Sequence, residues 1–179
     1  MSGIQSHARW IEMSDGVSSV VMSFYEALGY TQTYERIGGR TTFRTLDGAA
    51  VKQQNWTRLK TNVSGNGGIP AGMSGLDYTL PITIKCGAPR AVNSSSNVIT
   101  LPANRRTDVG YTPYGYKRVD GFMVPASVSV VGNIVTVDTG GDAYSVAYYP
   151  EIEVLMDDPS DGYDWGSNSA SWSFTAEEL

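Results

Sequence analysis

The residues best placed to do chemistry are four carboxylates near the C-terminus, in Asp157-Asp158-Pro-Ser-Asp161-Gly-Tyr-Asp164-Trp165. Hard cations such as Ca²⁺ are held by several oxygen ligands, so a carboxylate cluster of this kind could gather around one. The spacing departs from a calcium-binding helix-loop-helix: Pro159 and Tyr163 stand where ligands belong, and no Glu closes the loop. A solvated acidic loop is the competing reading and the one adopted, with no metal and no cofactor expected. Glu151 and Glu153 share one face of a strand-like run and are a loose pair for glycoside hydrolysis; a solvent-facing strand edge is the reading adopted for them. His7 is the single histidine, and no nucleophile elbow is present for it to serve. Cys86, the single cysteine, ends the strand-like run Ile82-Thr-Ile-Lys-Cys86 and reads as a small core residue. One cysteine cannot form an intrachain disulfide. The run Ser64-Gly-Asn-Gly-Gly-Ile-Pro-Ala-Gly-Met-Ser-Gly75 suggests a phosphate cradle, but no Lys-Ser or Lys-Thr follows it and no helix opens after it. The expectation is a protein that is not an enzyme.

Aromatic residues offer a different chemistry. Tyr111, Tyr114 and Tyr116 fall in a Gly/Pro-punctuated loop, and Trp165 and Trp172 flank a Ser/Asn-rich stretch. Tyrosine gives a broad, stiff contact surface at small entropic cost, suited to a protein interface or to stacking on sugar rings. For Trp165 and Trp172, core or subunit packing is expected before ligand stacking.

The elements that must carry these residues read as strands. The chain has 179 residues with 20 Gly, 11 Tyr and 17% charged residues, and its Val/Thr/Ser/Tyr alternations favour sheets and turns. Val17 to Leu28 fits both helical and strand spacing, and its Ser, Val, Tyr and Phe favour strand. Gly38-Gly39 and Asp47-Gly48 predict tight hairpins, giving an antiparallel meander from Thr31 to Val63. The Gly-rich stretch from Ser64 to Gly75 is expected to leave the sheet as a loop. The strongest local signal is Ser127–Val131, Gly132-Asn133, Ile134–Val137, a two-residue hairpin pairing 130 with 135 and 128 with 137. Together these predict an all-β protein, an antiparallel β-sandwich. Its core would span residues 1–97 and 149–179, with residues 98–148 a hairpin-containing insertion or small second module.

Composition limits the partners. A formal charge of −5 argues against general nucleic-acid affinity, which needs clustered Lys and Arg. No window reaches the apolar length of a membrane span, and no signal-peptide stretch opens the chain, so synthesis in a cytosol and no membrane partner are expected.

A family resemblance adds to this reading. The run Glu35-Arg-Ile-Gly-Gly-Arg-Thr-Thr-Phe-Arg-Thr-Leu-Asp-Gly-Ala-Ala-Val-Lys-Gln-Gln-Asn-Trp56, and then Lys60-Thr-Asn-Val-Ser-Gly-Asn-Gly-Gly-Ile-Pro-Ala-Gly72, resembles minor tail proteins at the tail tip of long-tailed bacteriophages. Tyr148-Tyr-Pro-Glu-Ile-Glu-Val154 and Trp172-Ser-Phe-Thr-Ala-Glu-Glu178 resemble the closing strands of those proteins, while residues 98–148 have no counterpart. The resemblance implies a distal-tail-like or tail-tube-like sandwich. It implies a virion structural protein, assembled in the host cytoplasm into a threefold or sixfold ring with other tail proteins. Trp56, Gly67, Gly68, Tyr111, Tyr114, Tyr116, Trp165 and Trp172 are then the expected contacts. The alternative is a carbohydrate-binding β-sandwich recognising host surface glycan.

Overall fold

The structure is a computed structural model and describes residues 11–22, 26–68 and 71–179. The chain is nearly all β, as its composition predicts. In chain order the strands are β1 (Ile11–Ser14), β2 (Ser19–Met22), β3 (Leu28–Ile37), β4 (Arg40–Arg44), β5 (Ala50–Gln54), β6 (Arg58–Gly67), β7 (Ile82–Lys85) and β8 (Arg90–Ser94). They continue as β9 (Val98–Thr100), β10 (Tyr114–Val119), β11 (Phe122–Ala126), β12 (Val128–Val131), β13 (Ile134–Val137), β14 (Ala143–Tyr148), β15 (Glu151–Met156), β16 (Ser160–Asp164) and β17 (Ser169–Glu178). A single 3₁₀ turn, Met73–Gly75, is the only helical element among the described residues. The described residues form two compact units, one of residues 11–13 with Thr83–Ile152, the other of Ser14–Ile82 with Glu153–Leu179.

The first unit is sandwich-like. One antiparallel sheet runs β11-β10-β14-β8 and a second runs β12-β13-β9. Ile99, Leu101, Val135 and Val137 of the second sheet and its flank meet Tyr144, Val146 and Tyr148 of the first in one apolar core. The hairpin of β12 and β13 has the expected register, Val130 opposite Val135 and Val128 opposite Val137. Gly132 takes φ +57° at its first turn position, and Asn133 is not among the positive-φ residues, as a type II′ turn requires. A further hairpin joins β10 to β11, where Asp120 and Gly121 both have positive φ, the type I′ pattern. The compact unit begins at Thr83 rather than at residue 98, because β8 pairs along its length with β14. Cys86 is fully buried, as expected, with its backbone N–H donating to Pro150 O at 2.9 Å.

In the second unit β17 is the central strand. It pairs with β6 over eight consecutive residues, from Ala170 opposite Gly67 to Glu177 opposite Lys60. β6 pairs onward with β3, while β15 and β16 pair with the other edge of β17. Alternation sorts the faces: Ala170, Trp172, Phe174 and Ala176 are buried, with Ser171, Ser173 and Thr175 exposed. Thr61 is buried on the inner face, donating through Oγ1 to Thr33 O at 3.0 Å and accepting from Gln32 Nε2 at 3.1 Å.

Two expectations are corrected here. The Gly-rich run does not leave the sheet at Ser64: Ser64–Gly67 completes β6 opposite β17. The reason is steric. A Cβ on Gly65 would lie 2.5 Å from Trp172 Cζ2, so the missing side chain makes room for the indole directly across the ladder. The meander is also replaced. β3 pairs with β6, and β4 pairs only with β5, so Gly38-Gly39 is a junction in one long hairpin rather than a turn. Between Ile37↔Arg58 and Arg40↔Gln54, two residues on one strand face three on the other, Asn55, Trp56 and Thr57. That mismatch is a bulge, which bends a ribbon and raises its twist. Asp47-Gly48 does form the expected turn, with Gly48 at φ +84° and Thr45 N–H donating to Ala49 O at 2.9 Å. Within Val17 to Leu28, Ser19–Met22 is strand, as preferred, and residues 23–25 lie outside the described residues.

Gly115 tests the sandwich of the first unit, because a Cβ there would lie 2.5 Å from Val128 Cγ1. Gly115→Ala is expected to lower stability by about 1–3 kcal/mol in urea denaturation. Gly162→Ala, whose Cβ would meet only Ser171 Oγ at 3.6 Å, should stay within about 0.5 kcal/mol of wild type.

Candidate functional site

The outer face of the second unit's sheet is built from hydroxyl and amide side chains. Thr31, Ser64 and Ser173 align across β3, β6 and β17, and Thr33, Asn62 and Thr175 form the next row. Thr175 Oγ1 donates to Asn62 Oδ1 at 2.7 Å, and Lys60 Nζ pairs with Glu177 Oε1 at 2.9 Å one row further on. A groove of about 540 Å³ runs over Asn66, Ser171 and Ser173 and is edged by Asp161. It adjoins a second of about 500 Å³ edged by Asp157 and Asp158, with Ser64, Ser160 and Ser173 shared between them.

Negative charge concentrates around this surface. Burial, reinforced by the charges of Asp158, Asp15 and Asp161, pushes the Tyr78 phenol up to about 12. The same phenol donates to Met73 O at 2.6 Å. Asp15 is held below the usual carboxylate range by backbone N–H donors, that of Asp77 foremost and those of Ser18 and Val17 after it. Asp164 closes the β16–β17 turn instead of facing a ligand. Its oxygens accept from Ser167 Oγ at 2.6 Å and Gly166 N–H at 2.9 Å, which lowers its pKa. Among the described residues no group of three or more His, Cys, Asp or Glu is placed to hold a metal ion.

Opposite in sign is the β4–β5 arm, every residue of which is exposed from Arg40 to Trp56. At its base Trp56 lies over Gly39, where a Cβ would come within 2.7 Å of Nε1, and Gly38 would collide with the Trp56 carbonyl. These two glycines therefore fit the backbone against the Trp56 anchor. Phe43 and Val51 are directly paired and share one face, whereas Arg40, Arg44 and Lys52 lie on the other. Residues 36–58 hold Arg36, Arg40, Arg44, Lys52 and Arg58 against the single carboxylate Asp47. The rest of that unit holds one cation, Lys60, against eleven carboxylate side chains. Sequence reading by motif passed over this segregation, although charge counted separately for each segment exposes it.

The tyrosine run belongs to the first unit, and the expected loop is corrected there: Tyr114 and Tyr116 lie on β10, paired with β14, and only Tyr111 precedes the strand, packed on a buried cation. Arg106 is fully buried, with its guanidinium 3.3 Å from the Tyr111 ring centroid. It donates to Asp108 through Nε at 3.0 Å and Nη2 at 2.6 Å, and through Nη1 to the Cys86 carbonyl at 3.1 Å. Burial pushes the Asp108 carboxyl up, but the hydrogen bonds and charge of Arg106 outweigh it, holding Asp108 below the usual range. Tyr111 meets Tyr149 edge to face at 4.9 Å, and Tyr114 meets Tyr116 likewise at 5.9 Å.

The expected contact residues thus divide. Trp56, Gly68, Tyr114 and Trp165 are exposed and Tyr116 half-buried, while Gly67, Tyr111 and Trp172 are buried in the chain itself. Trp172 donates its indole N–H to Glu26 O at 2.7 Å and stacks on Phe174. Trp165 is 87% exposed at the β16–β17 turn, edge to face with Tyr163. The tyrosine run offers no row of three open rings for sugar stacking, because Tyr111 is turned inward onto Arg106. Of the paired glutamates, Glu153 is exposed and Glu151 half-buried, and His7 lies outside the described residues. No family model, curated protein or solved structure matches this chain.

Arg106→Leu is expected to cost about 3 kcal/mol in urea denaturation, the low end for a broken buried pair because Asp108 can regain water. Stability from the depressed Asp108 is present above the ordinary Asp pKa and is lost as pH falls through the folded value. The variant should lose that acid-side dependence. On the alkaline side the folded chain keeps the Tyr78 proton between the ordinary pKa of 10.0 and about 12, so stability falls as pH rises through that window. Tyr78→Phe should remove one phenol titrating near 12 from the ultraviolet absorbance curve.

Proposed function

We propose that this chain is a structural subunit of a long-tailed phage virion, acting at the tail tip and joining copies of itself and other tail proteins in a ring or cap. The observation that carries the reading is the β4–β5 arm, a ribbon with every residue exposed that extends beyond the sheet it comes from. An isolated two-stranded ribbon is marginally stable in water. Subunits that assemble gain by covering such a ribbon, and the arm's Phe43, Leu46 and Val51 supply apolar surface to cover. The segment that resembles tail-tip proteins, Glu35–Trp56, spans this arm and its base. The exposed β-edges and the polar sheet face supply further contact area of the kind used between ring subunits. Tyr114 and Trp165 add exposed aromatic contacts.

Light scattering on the purified protein over about a hundredfold range of concentration tests the reading. A discrete trimer or hexamer, visible as rings by negative-stain microscopy, is expected. A strict monomer at every concentration, with no rings, overturns assembly by this chain.

A further inference from the structure

We propose that the cationic face of the β4–β5 arm docks on the acidic edge of the polar groove of a second copy of this chain. The proposal rests on the assembly reading above and names the two surfaces that meet.

Three observations carry it. First, Arg40, Arg44 and Lys52 occupy one face of the arm and are exposed, and no carboxylate pairs with them among the described residues. Second, Asp157, Asp158 and Asp161 edge the two adjoining grooves and are exposed, equally without a cation, and the charges of Asp158 and Asp161 reach the Tyr78 phenol. Third, both surfaces belong to the same compact unit, so each copy presents one arm and one groove. A concave polar surface with unpaired carboxylates and a protruding ribbon with unpaired cations are complementary in charge. From Arg40 to Leu46 an extended strand reaches roughly 20 Å, comparable with the span of the sheet face it would cross.

Such a contact is heterologous: the arm of one copy meets the groove of the next, leaving an arm and a groove free at the two ends. Repetition of the contact closes a ring where the rotation permits. A nucleic acid or anionic membrane would attract the same cations but gives no role to the acidic groove, which repels both.

Charge exchange tests the contact. Arg40→Glu with Arg44→Glu and Lys52→Glu reverses the arm, and Asp157→Lys with Asp158→Lys and Asp161→Lys reverses the groove. Far-ultraviolet circular dichroism and thermal melting check that each variant folds, and sedimentation velocity follows association at low and high salt. Each reversal alone is expected to weaken self-association by roughly a hundredfold or more. The chain carrying both reversals, and an equimolar mixture of the two single reversals, should associate again, and wild-type association should weaken as salt rises. If wild type assembles but the arm reversal leaves its mass unchanged, this contact is overturned while ring formation stands. A wild-type monomer overturns self-assembly itself. Fluorescence anisotropy with a short DNA duplex and co-sedimentation with anionic vesicles supply the remaining arms. Binding by wild type that is lost on arm reversal, without self-association, overturns the proposal in favour of those partners.

Discussion

The second unit depends on the ladder between β17 and β6, which joins segments of chain as much as 117 residues apart. Closing so long a loop costs entropy, and only burial on the inner face returns it. Trp172 is the bulkiest apolar side chain buried on that face. Its ring lies over Gly65, stacks on Phe174 and donates to the Glu26 carbonyl, so one side chain joins β6, β17 and the turn before β3. A larger residue at position 65 would drive the indole off the ladder. The hydroxyl and amide rows of the outer face then follow from strand alternation, since Ser171, Ser173 and Thr175 are the neighbours of the buried residues.

The arm is the other side of that constraint. The β3–β6 ladder holds its two ends side by side, but the bulge at Gly38-Gly39 and Trp56 ends the ladder's register and releases the ribbon. Beyond that point no third strand covers β4 or β5 among the described residues. A ribbon that cannot bury its own apolar pair, Phe43 and Val51, is poorly suited to stand alone and well suited to contact. Its cations are segregated from most of the carboxylates of the same unit.

The first unit solves a different problem, placing a fully buried arginine. Arg106 is sheathed by the Tyr111 ring, two carbonyls and the paired oxygens of Asp108, so its charge is matched and its donors are used. That arrangement turns Tyr111 inward and leaves Tyr114 and Tyr116, both on β10, as the more exposed tyrosines of the run. A tyrosine run that resembles a binding platform in sequence is therefore partly a core.

Features that depend on near neighbours were legible in the residues alone. The β class follows from composition and alternation. The Gly132-Asn133 hairpin and its register follow from a two-residue turn, as the Asp47-Gly48 turn follows from the αL preference of glycine. Asp120-Gly121 carried the same local signal and was legible by the same rule. Features that depend on a distant partner were set only on folding. Gly65 belongs to a strand because Trp172 lies opposite it, and Gly38-Gly39 is a junction because β3 pairs with β6 instead of β4. Tyr111 is core because Arg106 lies beneath it. Turn geometry is encoded within a few residues, whereas pairing and burial are settled by competition among surfaces that meet only when the chain has folded.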